Sequence, residues 1–144
     1  MDYYADSSFL VSCYVVDANT PRARDWLSRA GVPLAFTALH ALEVRNSFKL
    51  GVFRGLFPAA DAAAAWRNVE SDLHSGRLAK ITVKWPVVFR VATRLVEGHS
   101  VTTGTRSLDV LHIAAAKAAR AVEFLSFDTR QRALAALVGL RLAP

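Results

Sequence analysis

The sequence predicts an α/β fold: a mainly parallel sheet of four to five strands with helices on both faces. Three observations carry that prediction. Short apolar runs of strand character alternate with longer segments of helical period along the whole chain. Proline and glycine mark the starts and ends of several helical segments. Acids stand directly after two strand-like runs, at the carboxyl ends where open parallel sheets collect their chemistry. No internal repeat, low-complexity tract or linker breaks the pattern, so residues 1–144 are expected to form one domain.

Asp2–Ala5 reads as the first strand, with Asp6 at its end and Ser7 or Ser8 able to cap a helix through Phe9–Val16. Thr20-Pro21 is an N-cap followed by proline at the first helical position, and Gly31 closes the helix Arg22–Ala30. Val32–Phe36 is a second strand. Thr37 caps a third helix, in which Leu39, Leu42, Phe48 and Leu50 are candidates for the buried side. Glu43 lies one turn after Leu39, and Arg45, Lys49 and Arg54 make the far end of this helix basic.

Pro58 opens a long alanine-rich helix, Ala59–Ser75, ended by Gly76, with Asp61, Glu70 and Asp72 read as surface acids. Leu78–Val83 is a third strand, and Pro86 starts a helix through Val96 that stops at Glu97-Gly98. His99–Arg106, rich in Ser, Thr and Gly, reads as a loop. Behind it Ser107 is a good N-cap. Leu111, Ala115, Ala118 and Ala119 then recur at roughly the helical spacing, with Lys117 and Arg120 opposite, and Asp109 falls in the first turn, where the helix dipole favours an anion. Glu123–Phe127 is a short, largely buried strand, Asp128 stands just past its end, and the helix Thr129–Leu137 begins behind it. Gly139–Leu142 can add a brief edge strand. Trp26, Trp66, Trp85 and Phe89 are assigned to packing.

Composition narrows the function. Apolar residues at 53% and charged residues at 21% exclude a disordered chain. The single cysteine, Cys13, cannot form an internal disulfide; it reads as a small core residue in a reducing compartment. The acidic start MDYYADSS lacks the basic segment of a secretory signal and no apolar run has the length of a membrane span, so a cytoplasmic location and no membrane partner are expected. A net charge of +6 suits a polyanionic partner, nucleic acid or an acidic protein segment.

Asp6, Glu43, Asp109 and Asp128 stand apart from the surface acids, since topology can bring them together. Carboxylates gathered in a low-dielectric cleft either take up protons or hold a cation. No histidine or cysteine pattern has zinc spacing, so an all-oxygen set points to Mg²⁺ or Mn²⁺. Such ions usually act on phosphates, polarising the phosphoryl group and lowering the pKa of a bound water. His112, three residues beyond Asp109, is read as a histidine hydrogen-bonded inside the fold rather than a general base, and His40 likewise. Arg106, just before the helix, and Arg130, just after Asp128, are placed to meet the phosphates of a polyanion, and each reads equally well as an ordinary surface arginine.

Four segments in this order, YADSSFL at Tyr4–Leu10, LHALEVRNSF at Leu39–Phe48, RSLDVLHIAAA at Arg106–Ala116 and FLSFDTRQRALA at Phe124–Ala135, resemble the PIN-domain nucleases, most closely the VapC toxins of toxin–antitoxin pairs. The resemblance covers nearly the whole chain. It implies a PIN-like three-layer sandwich with strand order 3-2-1-4-5. It implies a metal centre at Asp6, Glu43, Asp109 and Asp128, with the Ser8 hydroxyl supporting the first acid; with such a centre, Ser8, Arg106, Ser126 and Arg130 are candidates to support the acids or contact RNA. It also implies a Mg²⁺- or Mn²⁺-dependent endoribonuclease that cleaves RNA through metal-activated water, homodimers or larger toxin–antitoxin assemblies, and neutralisation by a cognate antitoxin. Some relatives carry a further acid soon after the last Asp, where this chain has Thr129, Arg130 and Gln131.

Two rival readings share parts of this pattern. A noncatalytic PIN-like module that binds RNA or protein would keep the basic surface without metal chemistry. An aspartyl-phosphate phosphatase would want a second Asp two residues after the nucleophile, but Ser7 and Ser8 follow Asp6; a receiver domain would want a lysine-bearing strand that is not found.

Overall fold

The computed structural model describes all residues, Met1–Pro144. Its elements are β1 (Tyr3–Ala5), α1 (Ser7–Tyr14), α2 (Thr20–Ala30), β2 (Leu34–Phe36), α3 (Ala38–Phe53), α4 (Ala59–His74), β3 (Leu78–Lys80), α5 (Trp85–Thr103), α6 (Ser107–Ala118), β4 (Glu123–Leu125), α7 (Thr129–Leu137) and β5 (Arg141–Ala143). They fall into two compact units: Met1–Asp6 with Ile81–Pro144, and Ser7–Lys80. The strand orders are β1-β4-β5 in the first unit and β2-β3 in the second, all parallel, and each is a consecutive stretch of the expected order 3-2-1-4-5.

In the first unit β4 is central, with Tyr4 opposite Phe124 and Phe124 opposite Leu142. Tyr4, Phe124, Ile113 and Leu134 are buried, and the Tyr4 and Phe124 rings stack with centroids 6.2 Å apart. Helices α5, α6 and α7 pack on one another, and α7 also packs on β5. The expected stop at Glu97-Gly98 does not occur. A glycine inside a helix costs only about 1 kcal/mol relative to alanine, and α5 continues through it to Thr103. Gly104, at φ +63°, ends the helix instead, so His99–Thr103 are helical rather than a loop. Phe89 is 56% exposed because Val88, Ala92 and Leu95 occupy the inward side of α5, which corrects its assignment to packing. Ser107 is the first helical residue of α6 rather than its cap; Arg106 holds the cap position, and its side chain makes no capping bond to the backbone.

In the second unit α1 packs on α2, α3 and α4, and α3 packs on α4. Thr37 caps α3 as expected, and His40 completes a capping box, its Nδ1 accepting from the Thr37 N–H at 3.0 Å. The buried positions of α3 are His40, Val44, Phe48 and Gly51, one helical stripe. Leu42 and Leu50 fall off that stripe and are exposed, against expectation. Asp72 corrects a second assignment. It continues the inward stripe Ala62, Ala65, Val69 of α4 and is buried, its charge met by the Tyr14 hydroxyl at 2.8 Å and by Arg77 at 3.2 Å.

Candidate active site

Asp6 and Ser126 are placed by sheet register. Ala5 pairs with Leu125, and the Asp6 N–H donates to the Leu125 carbonyl at 2.9 Å, so Asp6 and Ser126 occupy the next positions past the carboxyl ends of two adjacent strands. Both are buried. The Ser126 hydroxyl lies 3.3 Å from Asp6 Oδ2 and 2.7 Å from Gln131 Oε1, and it accepts the Asp128 N–H at 3.0 Å.

Asp128 caps α7. Its Oδ1 accepts from the Arg130 N–H at 2.8 Å and the Gln131 N–H at 3.0 Å, satisfying two donors that a helix start otherwise leaves orphaned. Asp109, in the first turn of α6, is held at both oxygens: Gln131 Nε2 donates to Oδ1 at 2.8 Å, and Arg106 Nε donates to Oδ2 at 3.0 Å. The side chain of Asp109 is 14% exposed and that of Arg106 is 76% exposed. The hydrogen bond to Asp109 is the main cause pushing the Arg106 guanidinium above its already high range, followed by the charges of Asp109 and Asp128. Three of the four predicted acids are thus joined in one bonded set through Ser126 and Gln131, within one unit. Gln131 was not foreseen. A neutral amide in a helix's first turn carries no signal until its burial is known, and here it is 2% exposed.

Glu43, in the second unit, is half-buried on α3 and accepts from the Ser7 hydroxyl at 2.8 Å. Ser7 was foreseen only as a cap. Ser8 is exposed in the first turn of α1. Arg45 stacks over the Trp66 ring at 4.0 Å. Arg130 is exposed, its stem passing Gly104. His112 is buried, with Nδ1 3.2 Å from the Tyr4 hydroxyl, and His40 is buried at the α3 cap. Both histidines lie inside the fold, as expected.

As the side chains stand, no group of three or more His, Cys, Asp or Glu residues has the spacing to hold a metal ion. The donor chemistry nevertheless fits a hard divalent cation. The set offers carboxylate oxygens with neutral hydroxyl and amide groups between them. Mg²⁺ keeps several waters and needs only one or two carboxylates, so a closed cage of acids is not required. In the Arg106–Asp109 ion pair the guanidinium is 76% exposed and the carboxylate 14%, so water competes with the arginine end of the contact.

The second unit contains a cavity of about 910 Å³ lined by Tyr14, Arg24, Asp72 and Arg77 among others, and by none of the predicted acids. Burial pushes the Cys13 thiol at its wall up to about 12, so it stays protonated and inert at neutral pH.

A parallel α/β protein with acids just past neighbouring strand ends is a class in which hydrolytic and phosphoryl-transfer sites are common. The PIN domain model matches residues 3–137, and the chain belongs to the PIN domain family. Solved structures agree on the fold. VapC20 of Mycobacterium tuberculosis, described as a sarcin–ricin loop cleaving toxin, superposes with a TM-score of 0.69 at 16% identity, covering 92% of this chain and 94% of that one. VapBC2 of Rickettsia felis, bound to a DNA fragment from its promoter, gives 0.69 at 13% identity over 99% and 98% of the two chains. FitAcB of Neisseria gonorrhoeae gives 0.66 at 18% identity over 99% and 96%. Among curated proteins no sequence match is found.

Proposed function

We propose that the chain is a metal-dependent endoribonuclease of the toxin–antitoxin kind, built as one PIN domain and working in the cytoplasm. The observation that carries the reading is the bonded set Asp6–Ser126–Gln131–Asp109, with Asp128 donating its N–H to the same Ser126. The single family match, running unbroken from residue 3 to 137 through both compact units, supports the single domain.

Asp6, Glu43, Asp109 and Asp128 would hold Mg²⁺ or Mn²⁺, which when bound supplies charge stabilisation at the phosphodiester and a water of lowered pKa. Asp6 would contribute buried and Asp109 half-buried carboxylate oxygens, and Asp128 would contribute Oδ2, since Oδ1 is engaged by the α7 cap. Ser126 and Gln131 orient these acids. Arg106 and Arg130, both exposed beside the set, bind phosphates and orient the strand to be cut. Ser8 is assigned a supporting role on the family pattern alone. The likeness to VapC20 supports an RNA substrate, and the likeness to VapBC2 supports a cognate antitoxin as partner. The exposed Phe53, Leu56 and Phe89 give the chain apolar surface through which to form a homodimer or a larger assembly.

A second reading is favoured by one observation. Both oxygens of Asp109 are already engaged by protein donors, as they would be in a noncatalytic binding module. One experiment separates the two. Purified protein is incubated with structured RNA in EDTA, then with Mg²⁺ or Mn²⁺, beside an Asp109→Asn variant, and the cleaved ends are sequenced. Cleavage that needs the metal and Asp109 and leaves a 5′-phosphate and a 3′-hydroxyl supports the nuclease. Equal RNA binding by both proteins with no cleavage under any metal leaves the binding module.

A further inference from the structure

We propose that Gln131 is a positioning residue of the acid set, holding Asp109 so that Oδ2 is the oxygen offered to a divalent cation. The inference rests on the nuclease reading above. Ser126 has one hydroxyl proton and two acceptors for it, Gln131 Oε1 at 2.7 Å and Asp6 Oδ2 at 3.3 Å. The contact to Gln131 Oε1 is the shorter and better placed for the proton, and the hydroxyl oxygen also accepts the Asp128 N–H. Asp109, a carboxylate, can only accept, and that fixes the amide of Gln131. Its oxygen faces Ser126, so its NH₂ must face Asp109; the flipped amide would set lone pair against lone pair across 2.8 Å.

The two oxygens of Asp109 then differ in kind. Oδ1 is tied to a side chain that is 2% exposed, while Oδ2 is tied to an arginine that is 76% exposed. Water competes for the second bond and not for the first. A cation arriving from solvent displaces Arg106 and leaves Gln131 in place, so the buried amide decides which oxygen the cation meets. Neutrality is part of this role. A carboxylate at position 131 could not donate, and its charge would lie against that of Asp109.

The test is calorimetric titration of Mn²⁺ into the full chain, wild type beside Asp109→Asn and Gln131→Met, with RNA cleavage followed across Mn²⁺ concentration. Methionine keeps the shape and removes both hydrogen bonds. Gln131→Met is expected to weaken Mn²⁺ binding by about 10–100-fold, the usual cost of losing a group that orients a metal ligand, with cleavage recovering as Mn²⁺ is raised. A purely structural lesion would not be rescued by metal. Gln131→Asn, a methylene too short to reach Asp109, carries the same expectation should the methionine variant not fold. If wild type takes up Mn²⁺ in an Asp109-dependent way and the position-131 variants match it, the positioning role is overturned while the nuclease reading stands. If wild type shows no Asp109-dependent uptake, both are overturned.

Discussion

The Tyr4 hydroxyl on β1 lies 3.2 Å from Nδ1 of His112 on α6, and both side chains are buried. This contact joins a strand to the helix that carries Asp109, and it is the observation behind reading His112 as a structural residue. Tyr4→Phe should lower stability by about 1 kcal/mol, the net worth of one buried hydrogen bond, which for a chain of this size is a few degrees in Tm. Cleavage per folded molecule should hardly change. A fall of 100-fold or more in kcat at full folding would instead give the pair a part in the chemistry.

Asp128 serves both a helix and the acid set, and two substitutions separate the roles. Asparagine is as good an N-cap as aspartate, so Asp128→Asn should fold with near-normal stability and lose cleavage. Asp128→Ala should lose cleavage and also about 1 kcal/mol of stability. Equal denaturation midpoints for the two variants would show that the cap contributes little.

Arg106 is expected to oppose the metal and favour the RNA. Arg106→Ala removes the donor on Asp109 Oδ2, so Mn²⁺ affinity should hold or rise. RNA affinity should fall, and the slope of log K against log salt should shrink by about 0.7–1, the signature of one lost phosphate contact. Weaker Mn²⁺ binding in this variant would contradict the picture of a displaceable arginine.

Stability should fall on the alkaline side. Burial raises the Cys13 thiol from its ordinary 9.0 to about 12, against a smaller lowering by Arg24. Burial and the bond to Asp72 raise the Tyr14 hydroxyl above its ordinary 10.0. A folded chain that keeps a proton the unfolded chain has shed loses stability as pH rises. For Cys13 the loss begins near pH 9 and ends near pH 12, with a slope of up to about 1.4 kcal/mol per pH unit. Urea midpoints of wild type and Cys13→Ser measured across that window should converge as pH rises. Parallel curves would mean that the thiol does not contribute.

The parts of the fold that were legible in the chain are those written in local chemistry. Pro21 and Gly31 mark the two ends of α2, Thr37 caps α3, and Asp128 stands between a strand and a helix, each detectable within a few residues; Thr20, expected as the cap of α2, is its first helical residue, with Asn19 in the cap position. What depended on tertiary packing was not. Gly98 reads as a stop, yet a helix packed on two others can carry a glycine. Asp72 reads as a wet acid because its partners, Tyr14 and Arg77, arrive from other elements. Leu42 reads as core because hydropathy does not say which of two apolar stripes turns inward. In the acid set the residues with charge stood out, and the neutral Gln131 that spaces them did not.

The one-to-one pairing of Ala5 with Leu125 and of Leu125 with Ala143 has a consequence for what changes of length the chain can accept. These strands are three residues long, too short to absorb a slip, and a slip of one residue turns every side chain to the opposite face. Inserting or deleting a single residue at position 122 or 127 would therefore break the alignment of Asp6, Ser126 and Asp128, even with every amino acid of the set still encoded.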